Sequence, residues 1–230
     1  MQEAINHLQQ AIKINPEFAN AHYQLALLLD KKNDYKKAKA HYLKSIDLKK
    51  NFTESYFHLA TMLKRKKAFK ESKKYYLKAI EIDPNYAKAH YEYGLLLIKI
   101  GEIDDAKTHL EKVTDIDQNY ADAYYHLARI LTDPEEYDKA KKNYLTAIDI
   151  DSNHKLSHYY LGKLVFTGLK LDKEGSRVKK PDYSFAKTCY KNAIEIDNKS
   201  EKSHYNLALT YKNLNDFKKS HTHFKEAIQI

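Results

Sequence analysis

Cysteine, glycine, proline and long apolar runs are all scarce or absent in this sequence of 230 residues. Cys189 is the only cysteine, so no internal disulfide can form, and we predict a reducing compartment, the cytoplasm first and the nucleus as the alternative. Only five glycines and four prolines occur, which predicts mostly regular secondary structure. No stretch of about 18 apolar residues is present, so we expect no membrane-spanning helix.

Arginine is also scarce, with three residues against 37 lysines, although the net charge is +9. Lysine is a hydrated point charge, whereas arginine is the usual choice for bidentate contacts with phosphate. We therefore interpret the lysine excess as a solvated surface. Nucleic-acid binding is not expected, because acidic residues are interspersed among the lysines and arginine is almost absent.

Small residues recur at intervals of 34 residues in three separate columns. The columns contain Ala26, Ala60, Gly94, Ala128 and Gly162, then Ala38, Ser72, Ala106 and Ala140, then Ser45, Ala79, Val113 and Ala147. Each period holds two amphipathic helical patterns, such as residues 21–32 and 34–48, separated by a short polar turn. A fixed period of this length indicates a repeat array, in which each unit buries its apolar face only against its neighbours. Function is then expected on a surface and not in a catalytic pocket.

The pattern inside each period resembles the tetratricopeptide repeat family, and the resemblance covers the whole chain. In the second period the signature positions are Leu59, Ala60, Leu63, Phe69, Ser72, Tyr76, Ala79 and Pro84. The resemblance implies an all-α fold, a right-handed α-solenoid of antiparallel helix pairs, as one domain over residues 1–230. The predicted units are a half repeat at 1–18 and repeats at 19–52, 53–86, 87–120, 121–154, 155–200 and 201–230.

Two features depart from a regular array. The array begins with a second helix and stops without a capping helix, whereas solenoids need terminal caps. We therefore expect a fragment of a longer protein, with a short chain that self-associates through its end repeats as the alternative. The fifth repeat carries an inserted loop at about 168–181. Its basic residues Arg177, Lys179 and Lys180 are a secondary candidate surface, and a tolerated surface loop is the alternative.

The first helix of each pair lines a concave groove in the tetratricopeptide family. The resemblance places one ring per repeat in that groove: Tyr23, Phe57, Tyr91, Tyr125, Tyr159 and Tyr205. These rings are interpreted first as structural residues, and a stacking surface for a ligand is the alternative. Arg129 and Lys163 lie beside the rings, which favours a protein or peptide ligand with acidic and aromatic groups.

Residue sets that other members of the family use in this groove are missing here. The lysine of the carboxylate clamp, with which co-chaperones hold C-terminal tails, is replaced by tyrosine or phenylalanine in every repeat. We therefore do not expect a chaperone tail to bind. The asparagine ladder of sugar-transferring members is also missing, since its column contains Gln24, His58, Glu92, His126, Tyr160 and Asn206.

Motifs of catalysis, cofactor binding and metal binding are missing as well. The sequence has no HExxH, CxxC or EF-hand loop and no glycine-rich phosphate loop. Four of the 12 histidines share one column and are predicted to be packing residues on separate helices: His22, His90, His158 and His204. Cys189 is interpreted as a structural residue, without a catalytic partner. We predict no enzyme activity, no cofactor and no metal site.

These patterns together predict a non-enzymatic scaffold or adaptor that holds a peptide or partner segment in the concave groove. Two alternatives remain open from the sequence. One is a substrate-recruiting arm of a larger enzyme, such as a glycosyltransferase. The other is a self-associating assembly module, a homo-oligomer built through exposed end repeats.

Overall fold

Helices account for the regular structure of this chain, as the scarcity of glycine and proline predicts. The computed structural model describes residues 1–168 and 180–230. Within those ranges it contains thirteen α-helices, one short 3₁₀ helix and no strand, so the predicted all-α class is confirmed. Contacts divide the chain into two compact units, which we call the first unit, Met1–Ile116, and the second unit, Asp117–Ile230.

The first unit consists of seven helices of similar length. They are α1 Gln2–Ile14, α2 Ala19–Lys31, α3 Tyr35–Leu48, α4 Thr53–Arg65, α5 Phe69–Ile82, α6 Ala87–Ile100 and α7 Ile103–Ile116. Helices α2 and α3, α4 and α5, and α6 and α7 form packed pairs, and neighbouring pairs pack on each other. Each pair therefore buries its apolar face against the next, as expected for a repeat array.

The second unit has six helices in the same arrangement of pairs. They are α8 Ala121–Ile130, α9 Tyr137–Ile150, α10 Lys155–Thr167, α11 Tyr183–Ile196, α12 Glu201–Asn213 and α13 Phe217–Gln229. Helices α8 and α9, α10 and α11, and α12 and α13 are the packed pairs. Residues of the predicted insertion from 169 to 179, including Arg177 and Lys179, lie outside the described residues.

The columns of small residues lie where the two helices of a pair touch. A Cβ added to Gly94 would lie 3.0 Å from Cγ of Leu110 on α7. A Cβ added to Gly162 would lie 2.9 Å from the ring of Tyr190 on α11. Larger residues at these positions would overpack the contact, so the small columns are set by helix-to-helix distance.

The short turns inside the pairs each contain one residue with positive φ. It is Asn33 at 63°, Lys67 at 59° and Gly101 at 86° in the first unit, and Asn215 at 61° in the last turn of the second unit. The first turn of the second unit is longer, because α8 has only ten residues against 13 in α2 and in α4. Helix α8 ends at Ile130, and a 3₁₀ helix at Pro134–Glu136 leads into α9. A residue before proline disfavours the helical region, which explains why the helix does not continue to Asp133.

Candidate functional site

The early end of α8 borders a cleft in the second unit. Its volume is about 470 Å³, and it lies between α8, the turn that follows α8, and α10. The lining residues are Ala128, Arg129, Leu131, Thr132, Asp133, Tyr137, Tyr144, Tyr160, Lys163, Leu164, Thr167 and Gly168. Basic and aromatic side chains thus share one concave surface, which is the usual composition of a binding cleft.

Arg129 is held in this cleft by two aromatic rings. Its guanidinium carbon lies 5.5 Å from the ring centre of Tyr125 and 5.2 Å from that of Tyr160. Both distances are within the range of cation–π attraction. Burial raises the pKa of Tyr125 to about 12, so this tyrosine stays neutral below that pH. The guanidinium is therefore oriented by its rings while its side chain remains exposed to solvent.

Within residues 1–168 and 180–230, no carboxylate forms an ion pair with either cation of the cleft. Arg129 and Lys163 are both exposed, and among the residues of the two described ranges neither forms an ion pair. Asp133 also lines the cleft, but it forms no ion pair with either cation. Both side chains are exposed at the cleft, where charged donors of this kind bind acidic groups well.

Two basic side chains on the first helices of the first unit, Lys64 and Arg65, are paired with carboxylates. Lys64 on α4 forms an ion pair with Glu92 on α6, at a partly buried position. Arg65 on α4 binds Asp30 on α2, with Nη2 2.5 Å from each carboxylate oxygen. These two cations therefore connect neighbouring helix pairs, and their charge is compensated within the unit.

The predicted ring positions of the first unit are only partly accessible. Phe57 is buried, with its ring centre 5.2 Å from that of Tyr86 and 5.0 Å from that of His58. Tyr23 is half-buried, 4.9 Å from the ring of Phe52. Tyr91 is half-buried as well. These contacts support the structural interpretation of the rings in this unit.

The ring positions of the second unit range from buried to exposed. Tyr125 is 3% exposed, and Tyr159 is half-buried with its hydroxyl accepting a hydrogen bond from Nδ2 of Asn206 at 3.3 Å. Tyr205 is 50% exposed and contacts Phe224. Lys180 is exposed at the edge of the segment outside the described residues. The structure thus brings Arg129 and Lys163 together at the cleft and places the buried ring of Tyr125 against the guanidinium of Arg129.

Sequence reasoning missed Tyr160, which completes the arrangement around Arg129. Its ring centre lies 5.8 Å from that of Tyr125 and 5.0 Å from that of Tyr159. The sequence contains a signal for it, since the column of Tyr160 holds polar side chains in the other five repeats. Asp133 and Tyr137 were missed because their positions at the cleft depend on the irregular turn between α8 and α9.

The single thiol does not have the environment of a nucleophile. Cys189 on α11 is buried, and burial raises the pKa of its thiol to about 12. A protonated, inaccessible thiol fits the structural role predicted for it. Across the described part of the chain, the helices are too short or too polar to cross a membrane.

Three family models match the chain. One tetratricopeptide repeat model matches residues 63–130, and a TPR repeat model matches residues 1–33. A further tetratricopeptide repeat model matches residues 19–52, 121–154 and 201–230. No protein of the curated collection matches the sequence.

Solved structures of similar fold extend over most of the chain. The crystal structure of MamA is 22% identical with a TM-score of 0.64, over 77% of this chain and 90% of that one. YrrB, described as a TPR protein with an unusual peptide-binding site, is 21% identical with a TM-score of 0.66, over 85% and 95%. PilF of Pseudomonas aeruginosa is 16% identical with a TM-score of 0.72, over 89% and 88%. At these identities the likeness shows the fold, a solenoid of helix pairs.

Proposed function

Because the chain belongs to the tetratricopeptide repeat family, we propose that it is a non-enzymatic scaffold that holds an acidic segment of a partner protein at the cleft of the second unit. Repeat proteins of this kind act as interaction surfaces. The observation that carries the proposal is the pair of exposed cations, Arg129 and Lys163, in a cleft lined by aromatic rings. The peptide-binding site named for YrrB supports the proposal as a precedent on a similar fold.

The ligand chemistry follows from what the cleft offers. Arg129 presents a planar fork of N–H donors, and this geometry suits a carboxylate in bidentate contact. Lys163 adds a second cation on α10, so a segment with two acidic residues can engage both. The half-buried ring of Tyr160 provides apolar contact area beside the cations. A short segment that combines acidic and apolar side chains is therefore the expected ligand.

The size of the cleft limits what can enter it. A volume of about 470 Å³ accommodates a few side chains of a peptide and not a folded domain. The remaining affinity of a partner would come from contacts on the surrounding surface. We expect binding to weaken with salt, since both cations are exposed and therefore screened.

Peptide binding measured by fluorescence anisotropy tests the proposal. A pool of labelled peptides with paired acidic and aromatic residues is compared with a pool in which Asn and Gln replace Asp and Glu. We expect binding of the acidic pool alone, and a loss of about 10–100-fold in affinity for Arg129→Ala combined with Lys163→Ala.

The matched control uses the paired cations of the first unit. Lys64→Ala with Arg65→Ala removes the same net charge from the same kind of helix, and we expect its peptide affinity to fall less than about threefold. Equal losses in the two double variants would mean that overall charge drives binding. No preference for the acidic pool would refute the proposed ligand class.

A further inference from the structure

Histidine side chains meet between the two helices of three pairs. The contacts join Nδ1 to Nδ1, at 2.9 Å for His22 and His41, 2.9 Å for His90 and His109, and 3.2 Å for His204 and His223. Each pair spans 19 residues of sequence and connects a first helix to the second helix of the same repeat. The sequence analysis found only the first-helix column, because spacing alone does not reveal partners on separate helices.

The first-helix histidine of each pair has a defined orientation. Nε2 of His204 lies 3.1 Å from the carbonyl oxygen of Asn198, which can only accept a hydrogen bond. Nε2 therefore carries the hydrogen, and in the neutral ring the lone pair of Nδ1 is directed at the partner histidine. His22 and His90 repeat this contact with the carbonyl oxygens of Pro16 and Pro84, each at 3.1 Å.

The pair in the second unit has a third group that the other two lack. Oε2 of Glu226 lies 2.8 Å from Nδ1 of His204 and 2.9 Å from Nδ1 of His223. Glu226 stands three residues after His223 on α13. The corresponding positions in the other two pairs are Lys44 and Lys112, whose positive charge would repel a cation.

We propose that Nδ1 of His204, Nδ1 of His223 and Oε2 of Glu226 bind one divalent transition-metal ion, with zinc as the expected ion. Two imidazoles and one carboxylate are a common set of three protein ligands for zinc, with water as the fourth. Tetrahedral bonds of 2.0–2.1 Å place ligand atoms about 3.3 Å apart. The three separations, from 2.8 to 3.2 Å, need only a slight expansion around an ion.

The surroundings of the three groups support this site in two ways. The hydrogen bond from Nε2 of His204 to Asn198 is the outer contact that orients metal-binding histidines. The side chains of His204, His223 and Glu226 are 7%, 21% and 43% exposed, so the site is anchored on the buried side and open to solvent at Glu226. An ion there would join α12 to α13 and stabilise that pair.

A shared proton is the competing explanation for the same contacts. Oε2 of Glu226 lies 2.8 Å from Nδ1 of His204, the nitrogen that carries the lone pair. Two electron-rich atoms come this close only with a proton or a metal ion between them. An imidazolium would satisfy it as well as a metal ion. Only a measurement of metal binding separates the two explanations.

Titration with Co²⁺ tests the proposal, on the full chain without an affinity tag. Co²⁺ bound by four N and O ligands absorbs visible light through d–d transitions, so binding can be followed directly. We expect one equivalent of Co²⁺ to bind, displaced by Zn²⁺. We expect Glu226→Gln and His223→Ala each to weaken Co²⁺ binding at least about tenfold. Loss of a group that only hydrogen-bonds to a ligand already costs about that much, and a direct ligand should cost more. Zn²⁺ should also raise the Tm of the wild-type chain and not that of the variants.

Two controls use histidines elsewhere in the chain. His41→Ala and the exposed His221→Ala should bind Co²⁺ as the wild type does. Circular dichroism of each variant confirms that it is folded. Absence of d–d bands in the wild type, or full affinity in Glu226→Gln, would overturn the proposal in favour of the shared proton.

A gain-of-function variant tests the role of the carboxylate directly. Lys44→Glu places a carboxylate three residues after His41, beside the pair that His22 and His41 already form. We expect this variant to bind two equivalents of Co²⁺. One equivalent in both proteins would contradict the assignment of Glu226 as the deciding ligand.

Discussion

The two units share their helix pairs and differ in the charge pairing of two particular cations on the first helices of each. In the first unit, Lys64 and Arg65 are paired with Glu92 and Asp30 on the neighbouring first helices. In the second unit, Arg129 and Lys163 form no ion pair among the residues that the structure describes. The number of lysines in the sequence therefore says little about binding, because what matters is whether a cation is already compensated.

The second difference is the space beside these cations. Helices α2 and α4 run for 13 residues, whereas α8 stops after ten and leaves an irregular turn before α9. Leu131, Thr132 and Asp133 of that turn line the cleft. Pro134, four residues after the end of α8, thus ends the regular packing face and leaves a concave surface beside it.

Core substitutions should have the largest effect on stability. They test whether the two units differ only at the cleft after α8. Gly94→Leu in the first unit and Ala140→Leu in the second unit each place a large side chain in a fully packed contact between helices. We expect each to lower the free energy of unfolding by about 1–3 kcal/mol, measured by thermal denaturation.

The exposed position Lys142 provides the matched control for these substitutions. Lys142→Leu on α9 should change the free energy of unfolding by less than about 0.5 kcal/mol. A normal Tm for Gly94→Leu would mean that the predicted register of the small columns is wrong. A large loss in one unit alone would show that their cores also differ.

Histidines at equivalent positions of the two units should respond differently to acid. Burial lowers the pKa of His126 to about 4, and Arg129 acts in the same direction. Burial also lowers the pKa of His58, but Asp30 opposes this effect. We expect His126 to titrate below His58 in an NMR titration, because the largest charge effect on His126 comes from a cation and that on His58 from a carboxylate.

The stability consequence for His126 has a definite sign. Its pKa in the folded chain is below the ordinary value of about 6.5, so the unfolded chain takes up the proton first. The stabilisation is complete above pH 6.5 and is lost as the pH falls towards 4. Between pH 7 and pH 4, the free energy of unfolding of the wild type should fall by about 1–3 kcal/mol more than that of His126→Gln, measured by urea denaturation. An unchanged slope would mean that His126 is more hydrated than its burial indicates.

The fold was predictable from the sequence because it depends on local, repeated signals. The 34-residue columns and the turns between helices identify the pairs, and helix α3 begins at Tyr35 with Asp34 as its cap, close to the predicted start at 34. In the second unit the motif Asp133-Pro134 is typical of a helix start, but the chain forms a 3₁₀ helix first and α9 begins at Tyr137. The local signal marks where helical structure begins, but it does not distinguish a 3₁₀ turn from an α-helical one.

The site was only partly predictable, because it depends on contacts between repeats. Arg129 and Lys163 were identified from their column, but the compensation of Lys64 by Glu92 joins residues on different pairs. The same limit applies to His204 and Glu226, which meet across two helices. Charge pairing and ligand geometry are properties of packed side chains, and a single sequence does not fix them.

Releasing the paired cations of the first unit should produce the smallest effect and the sharpest test of the comparison. In a chain that carries Arg129→Ala and Lys163→Ala, the further changes Asp30→Asn and Glu92→Gln free Arg65 and Lys64 without altering side-chain size. These ion pairs are partly exposed, so the cost in stability should remain below about 1 kcal/mol per pair.

If uncompensated charge allows a first-helix face to bind, the affinity for the acidic peptide pool should recover in this chain. The recovery should be less than about tenfold, because the first unit keeps its long helices. Anisotropy measures this recovery, with the Lys64→Ala and Arg65→Ala variant of the same chain as the control that must show none. Affinity that stays lost would assign the difference between the units to the shape of the cleft after α8 and not to its free charge.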